Sequence, residues 1–290
     1  MFGLINVNKP CGPTSHDVVD HVRRLLPRRS KVGHAGTLDP QAEGVLVICV
    51  GPAVRLAECV SDQPKQYVAE VAFGATSTTD DVEGDITPSG AALPTEGQVR
   101  TVLPEFIGEI QQVPPAYSAV HVKGRRAHDL ARAGIAPQIE PRTVRVDAIE
   151  LLSMEGDRTR LRIDCGKGTY IRALARDLGR RLGCGAYCSA LTRTRVGAFT
   201  LDQAVPMDSL TRANLNAHLL PARLAVADWP TVTAGEGQQG EIAMGRAIPS
   251  PLCPTPPAVA VLDPAGRLLA LCDGGPDNML RPRKVFIESE

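Results

Sequence analysis

Aromatic residues are scarce in this chain of 290 residues, which has one tryptophan, four tyrosines and five phenylalanines. Its formal net charge is zero, because 32 lysines and arginines balance 32 aspartates and glutamates. The overall charge therefore gives no reason to expect nucleic-acid or membrane binding, and any such site has to be a local cluster.

Long apolar runs and paired-cysteine motifs are also missing. No apolar run approaches the roughly 18 residues of a membrane span, and the N-terminus lacks the basic segment and apolar core of a signal peptide. The eight cysteines include no CxxC pair, and no histidine cluster accompanies the closest two, Cys184 and Cys188. We therefore expect a cytoplasmic protein without a metal site, in which the cysteines serve as small apolar residues.

The chain is long enough for one large and one small domain. Trp229-Pro230 marks a boundary, after which short strands at 258–262 and 268–272 alternate with Gly-rich turns, a pattern typical of a small β-barrel. We therefore predict domains of residues 1–228 and 229–290. Residues 207–226 predict a closing pair of helices, and the acidic, turn-rich residues 76–85 predict a surface loop without a metal ion.

The most informative stretch is G-H-A-G-T-L-D-P-Q-A-E-G-V-L at residues 33–46. Its glycines allow sharp turns and close approach to a ligand, and Pro40 favours extended backbone at Asp39. The apolar run at 45–50 then predicts a buried strand. A carboxylate on a stiff loop beside a buried strand suits covalent or acid–base chemistry, although an Asp-Pro pair alone is more often a simple turn.

This stretch resembles the central motif of the bacterial tRNA pseudouridine synthase family that modifies the T-loop uridine at tRNA position 55. Sequences similar to other motifs of the family occur along the chain in the family's order. They are N-K-P-x-G-x-T-S at 8–15, K-x-Y at 65–67, G-T-Y-I-R at 168–172 and L-x-R-x-x-x-G at 191–197. The resemblance implies an α+β pseudouridine synthase fold. Its central mixed, largely antiparallel sheet is flanked by helices, and a small PUA-like β-barrel follows at the C-terminus.

The resemblance also implies roles for individual residues. Asp39 would be the catalytic carboxylate, and Arg172 would pair with it and keep it ionised, whereas spacing alone favours a helix-surface cation for Arg172. Tyr67 would stack on the target base and assist proton removal from C5. The expected substrate-binding or supporting residues are His34, Tyr170, Leu191, Lys9 and Pro10.

Local excesses of positive charge indicate where RNA would bind. The segment from about 113 to 145 resembles the family's RNA-binding insertion, and its cations are Lys123, Arg125, Arg126, Arg132, Arg142 and Arg145. The expected RNA contacts are Arg125, Arg126, Arg132 and Arg142. Another basic run at 23–31 is either a solvated surface or a phosphate-binding patch. Glu43 stands where the family has a small Ser or Thr, and His128 stands where it has Tyr.

The reaction implied is cleavage of the uridine N1–C1′ bond and joining of C1′ to C5. It needs no cofactor, since it is neither a redox reaction nor an energy-requiring one. Asp39 would attack C1′, or stabilise an oxocarbenium ion that yields a glycal, or add to uracil C6; the residues leave these three routes open. The expected partner is the T stem-loop of tRNA, bound by a monomer that requires no protein partner.

Other functions remain open at this point. One is a non-catalytic RNA-binding and tRNA-folding protein, and a remote one is a guide-RNA-dependent pseudouridine synthase. A retaining glycosidase would need a second carboxylate about 5 Å from Asp39, for which Glu43 is the nearest candidate in the sequence.

Overall fold

The structure, a computed structural model, describes residues 1–118, 120–122 and 124–287, with the backbone alone for residues 126, 128 and 132. Its α-helices are α1 (Ser15–Leu25), α2 (Ala57–Asp62), α3 (Glu96–Val102), α4 (Ala127–Arg132), α5 (Ile171–Arg181) and α6 (Glu236–Ala243). Its strands are β1 (Gly3–Lys9), β2 (Val32–His34), β3 (Ala42–Val50), β4 (Lys65–Phe73), β5 (Ala75–Ser77), β6 (Ile86–Pro88), β7 (Gly108–Gln112), β8 (His121–Val122), β9 (Arg125–Arg126), β10 (Arg142–Glu155), β11 (Arg158–Cys165), β12 (Ala186–Val196), β13 (Phe199–Thr200), β14 (Val205–Pro206), β15 (Thr231–Thr233), β16 (Ile248–Pro249), β17 (Ala258–Leu262), β18 (Leu268–Gly274) and β19 (Met279–Val285).

A ten-stranded sheet forms the centre of the molecule. Its main path runs β14-β1-β3-β12-β4-β11-β10-β7, with β2 paired to β3 and β13 paired to β12. Only the β1–β14 and β3–β12 pairs are parallel. The predicted mixed, largely antiparallel α+β architecture is therefore confirmed.

Strand β3 is buried on both faces, which explains its continuous apolar sequence. Leu46, Ile48 and Val50 pack in one core with α1. The alternate residues, Val45, Val47 and Cys49, pack in a second core that also contains residues of the C-terminal sheet. Helix α1 is positioned by a capping box, in which Thr14 and Asp17 each satisfy a backbone donor of the other.

Helix α5 packs against the middle of the large sheet. Its buried apolar residues, which include Ile171, Leu174 and Leu178, lie in one core with Tyr67 and Val71 of β4. This packing holds the first turn of α5, where Arg172 lies, against β12 and β4.

The C-terminal residues form a separate five-stranded sheet, in the order β15-β17-β18-β19-β16, that curls into a half-barrel. Phe286, just after β19, stacks on Phe2 with ring centroids 5.3 Å apart. The Arg55 guanidinium lies 5.1 Å from the centroid of the same Phe286 ring. The proposed division between residues 228 and 229 stays a prediction.

The predicted helix pair at 207–226 is wrong. This segment contains short 3-10 turns at Met207–Ser209, Leu215–His218 and Ala222–Val226, separated by a turn and by residues outside any helix. Pro221 interrupts the segment and supplies no backbone donor, so a continuous helix cannot form across it. The adjacent Leu220 instead exchanges backbone hydrogen bonds with Leu4 of β1.

Candidate active site

Residues 35–41, the Asp39 loop, connect β2 to β3 and are held by buried polar side chains from the N-terminal segment. The Ser15 hydroxyl donates to the Leu38 carbonyl and accepts from the Leu38 amide, at 2.8 Å each. Lys9 is fully buried, and its Nζ donates to the carbonyl of Pro40 at 3.1 Å. Lys9 also donates to the carbonyls of Pro10 and Pro13, so the N-K-P turn and the Asp39 loop share one cation.

Asp39 forms an ion pair with Arg172 of α5. Arg172 Nε lies 2.9 Å from Asp39 Oδ2, and the side chains differ sharply in exposure, at 7% for Arg172 and 39% for Asp39. The arrangement is therefore a buried guanidinium presenting an accessible carboxylate. The surface position that spacing alone favoured for Arg172 is wrong, because the first turn of α5 faces the sheet.

Arg172 binds a second carboxylate. Its Nη1 lies 2.9 Å from Asp81 Oδ2, and the Asp81 side chain is only 7% exposed. The same guanidinium donates to the carbonyls of Thr79 and Tyr117 at 2.9 and 3.1 Å. One arginine therefore joins the Asp39 loop, the acidic residues 76–85 and the start of the insertion.

The acidic segment 76–85 is not the plain surface loop that was predicted. One turn further along α5, Arg176 pairs with Asp80 at 2.8 Å and donates to the Val113 carbonyl at 2.8 Å. Burial raises the pKa of Asp80, and the Arg176 charge opposes that shift. Residues four apart lie on one face of a helix, so Arg172 and Arg176 together neutralise two adjacent aspartates that the sequence alone suggested were solvated.

A row of three residues crosses the sheet beneath the Asp39 loop. Tyr67 of β4 lies opposite Arg193 of β12, and Arg193 lies beside Gly44 of β3. Gly44 has φ +102°, and a Cβ there would lie 2.3 Å from the Arg193 carbonyl oxygen. Only glycine fits this close approach of β3 to β12.

Tyr67 is buried, with 7% of its surface exposed. Burial raises the pKa of its hydroxyl; the Arg193 charge and a hydrogen bond from Arg193 oppose the shift, and the Asp39 charge adds to it. Tyr67 is therefore within electrostatic range of both Asp39 and the buried Arg193.

Leu191 and Asp39 line the same cleft, which lies between the Asp39 loop, the acidic segment and β12. Its lining residues are Asp39, Gln41, Ala42, Asp81, Val82, Arg172, Cys188, Ser189, Ala190 and Leu191. Tyr170 precedes α5 and is half-buried. Burial raises the pKa of its hydroxyl, with the Asp39 charge acting in the same direction.

Gln112 at the end of β7 holds the Tyr170 backbone. Its side-chain amide accepts from the Tyr170 amide at 2.8 Å and donates to the Tyr170 carbonyl at 3.1 Å. This reciprocal pair holds the backbone of the residue directly before α5.

His34 lies at the end of β2, directly before the Asp39 loop. Burial lowers its pKa, and the charges of Arg193 and His16 lower it further. Its Nδ1 is buried without a hydrogen-bond partner in the part of the chain that the structure describes. His34 is therefore a neutral imidazole at neutral pH, and its substrate-binding role stays a prediction.

Of the four predicted RNA-contact arginines, two have exposed side chains and two have side chains outside the described residues. Arg125 and Arg142 are exposed, and Arg142 lies close enough to Tyr170 for its charge to lower the Tyr170 pKa against the larger effect of burial. Lys123 and the side chains of Arg126 and Arg132 lie outside the described residues, as does the side chain of His128.

The four arginines and the lysine of the basic run at 23–31 are exposed, and Arg23 pairs with Asp20 on α1. Glu43 is also exposed and accepts a hydrogen bond from the Thr192 hydroxyl at 3.0 Å, across the parallel β3–β12 pair. The charge at position 43 is thus accommodated at the surface by a neighbouring strand.

Sequence reasoning missed four residues that build the site: Ser15 as a loop anchor, Asp81, Gln112 and Arg193. Asp81 and Gln112 act across more than fifty residues of sequence, so no local pattern reveals their partners. For Arg193, the usable signal was its place in an alternating strand two residues after Leu191, which puts both side chains on one face.

Among the described residues, no group of three His, Cys, Asp or Glu side chains is arranged to hold a metal ion. All eight cysteines are free, and five of them are buried. No helix in the described part of the chain is long and apolar enough to cross a membrane.

Comparison with known families gives two matches that together span most of the chain. Residues 23–171 match the TruB family pseudouridylate synthase N-terminal domain, and residues 172–227 match the tRNA pseudouridylate synthase B C-terminal domain. A protein named tRNA pseudouridine synthase B from Syntrophomonas wolfei is 39% identical over 99% of both chains. One of the same name from Dehalococcoides mccartyi is 40% identical over 99% of this chain and 97% of its own.

Solved structures show the same fold. A chain from an H/ACA RNP bound to a substrate RNA containing 2'-deoxyuridine superposes with a TM-score of 0.76 and 26% identity, over 99% of this chain and 86% of its own. A chain from a Cbf5-Nop10-Gar1 complex gives 0.73 and 28%, over 99% and 84%. From the two family matches and the full-length relatives, the chain belongs to the TruB family of pseudouridylate synthases.

Proposed function

We propose that this enzyme converts the T-loop uridine at position 55 of tRNA to pseudouridine, with Asp39 as the group that acts on the nucleotide. The full-length relatives named tRNA pseudouridine synthase B support tRNA as the substrate. The observation that carries the assignment of Asp39 is its pairing with Arg172, because this ion pair holds an accessible carboxylate of the central motif at the cleft that both residues line.

The chemistry places specific demands on Asp39. The N1–C1′ bond of uridine breaks, the C1′–C5 bond forms, C5 loses its proton to solvent and N1 gains one. A carboxylate at the sugar promotes the first step, either by attack at C1′ or by stabilising an oxocarbenium ion and taking its 2′ proton to form a glycal, a proton that returns to C2′ when C1′ joins C5; addition to uracil C6 is the third route. Arg172 fixes one carboxylate oxygen and leaves the exposed remainder of Asp39 facing the cleft.

The detached base has to be held while it reorients. Extruding a base from its stack costs a few kcal/mol, and an aromatic face returns about 1–3 kcal/mol through stacking. Tyr67, Tyr170 and Leu191 are the proposed walls of this pocket. Tyr67 and Tyr170 both lie within electrostatic range of Asp39, and Leu191 lines the same cleft as Asp39.

The exposed Arg125 and Arg142 are proposed to contact the phosphates of the T stem-loop, together with Arg126 and Arg132. Arg142 has a charge interaction with Tyr170, so a phosphate at Arg142 would lie near the proposed base pocket. We further propose that the enzyme acts as a cytoplasmic monomer.

The test uses a T stem-loop RNA whose uridines carry tritium at C5. Incubation with the purified protein alone is expected to release one equivalent of tritium into water. A second RNA with cytidine at the position equivalent to 55, and all other uridines labelled, is expected to release none. Release from the second RNA would contradict the proposed position, and no release from either RNA would contradict the proposed reaction.

A further inference from the structure

Arg193 is a buried arginine with no carboxylate partner among the described residues. It is 1% exposed and one of the largest fully buried side chains. All three of its side-chain nitrogens face backbone carbonyls. Nε donates to Val45 at 2.8 Å, Nη1 to Thr37 at 3.3 Å and Nη2 to Gly36 at 3.1 Å.

A buried charge without a counter-ion is costly. A lysine cannot reproduce this arrangement, because only the planar guanidinium offers donors in a rigid fork. Thr37 and Gly36 belong to the Asp39 loop, and Val45 is in the strand that follows it. Arg193 therefore ties both ends of the turn that carries Asp39 to the sheet beneath.

Tyr67 lies directly opposite Arg193 in the sheet. Side chains paired across two strands in this way lie on the same face with Cβ atoms about 4.5–5.5 Å apart. The Arg193 side chain therefore lies beside Tyr67, and its positive charge opposes the rise that burial causes in the pKa of the Tyr67 hydroxyl.

We propose that Arg193 is a positioning residue of the reaction, which fixes the Asp39 loop relative to Tyr67, its neighbour across the sheet. This inference rests on the proposed function. It assigns Arg193 no contact with the nucleotide; it acts through the residues that make such contacts.

Two variants test the proposal. Arg193→Lys keeps the charge but offers one nitrogen in place of three, and Arg193→Gln removes the charge. Each is assayed by tritium release under single-turnover and steady-state conditions, at a temperature at which thermal melting shows it folded. The expected result is a fall in kcat on the order of 10²-fold, typical of a small misplacement of reacting groups, with KM close to wild type.

A double-mutant cycle with Tyr67→Phe distinguishes positioning from general support of the fold. Tyr67→Phe keeps the ring and removes the hydroxyl on which the Arg193 charge acts. In that background the loss caused by Arg193→Lys is expected to be about tenfold smaller, a coupling typical of residues in contact. Arg195→Gln on the same strand, where Arg195 pairs with Asp164 at the surface, is the matched control and is expected to leave kcat unchanged.

An equal loss in both backgrounds, or a change in KM alone, would overturn the positioning role. So would failure of both Arg193 variants to fold, since that result assigns Arg193 to the fold itself. A wild-type protein that releases no tritium would contradict the proposed function, whereas an active wild type with uncoupled variants contradicts only this inference.

Discussion

Two buried arginines hold the Asp39 loop from different sides, and among the described residues only one of them binds carboxylates. Arg172 binds Asp39 and Asp81, each at 2.9 Å, in addition to two backbone carbonyls. Arg193 binds three backbone carbonyls. The first arrangement supplies a charged, accessible group for chemistry, and the second supplies the shape of the loop that carries it.

The difference between the two arginines explains how one loop can be both reactive and rigid. A carboxylate exposed to substrate cannot also be buried by packing, so its backbone has to be held by other groups. The buried polar side chains of Lys9, Ser15 and Arg193 do this through carbonyls and amides, leaving Asp39 itself free to meet the nucleotide. Pre-organisation of this kind is a principal source of catalytic power.

The largest predicted effect is at Arg172. Arg172→Met leaves Asp81 as a buried carboxylate without its cation, and breaking a buried ion pair in this way costs about 3–5 kcal/mol. We expect the free energy of unfolding in urea to fall by that amount and tritium release to drop to background. Arg181→Met, near the end of the same helix, removes an exposed partner of Glu105 and should change neither measurement appreciably; equal effects at both positions would contradict the contrast.

Lys65, like Arg193, is a buried cation held by backbone carbonyls. Unlike an arginine, a lysine can lose its proton, so the titration of Lys65 measures what burying such a cation costs. Its Nζ donates to the carbonyls of Ser61 and Gln63, and burial, aided by the Arg193 charge, lowers its pKa to about 8 from 10.5. The folded state thus holds this proton less tightly than the unfolded state. The contribution of Lys65 to stability is therefore lowest below pH 8, where the buried ammonium is charged. That contribution rises as pH increases from about 8 to 10.5.

A fall in the pKa of Lys65 from 10.5 to about 8 corresponds to about 3 kcal/mol. Other lysines and tyrosines titrate in this range, so the measurement is the difference between the wild type and Lys65→Met in urea unfolding at each pH. The wild type is expected to gain stability relative to the variant as pH rises. A difference that does not change with pH would show that Lys65 titrates normally.

A smaller effect is expected where β3 passes Arg193. Gly44→Ala places a side chain on a residue with φ +102° and against the Arg193 carbonyl, whereas Gly12→Ala meets the same backbone strain at φ +109° with no atom nearby. Backbone strain alone costs about 1–3 kcal/mol, so both variants should lose stability. Gly44→Ala should lose more and also slow tritium release; equal losses in stability and rate would show that the contact with Arg193 does not matter.

Much of this architecture could be predicted from local sequence. The apolar run at 45–50 lies in β3, the predicted strands at 258–262 and 268–272 correspond to β17 and β18, and the motif residues Asp39 and Arg172 meet in space. The resemblance to a family supplied the roles of these residues, because spacing alone placed Arg172 on a helix surface.

The remaining features depend on contacts that no local pattern contains. Asp80 and Asp81 look solvated in sequence, and only the docking of α5 brings two arginines to them. Arg193 reaches carbonyls of residues more than 140 positions earlier, and carbonyls carry no sequence signal. The 3-10 turns after residue 206 follow from proline and from pairing with β1, which override the weak helical pattern.

The most direct test is a single-turnover assay of Asp39→Asn with excess enzyme on the tritiated T stem-loop, beside Glu43→Gln as a control for loss of a carboxylate nearby in the sequence. The amide keeps the shape of the side chain and removes its charge and nucleophilicity. Asp39→Asn is expected to bind the RNA but to release no tritium above background, while Glu43→Gln is expected to turn over close to wild type. Product formation by Asp39→Asn at a rate near that of the wild type would contradict the proposed role of Asp39.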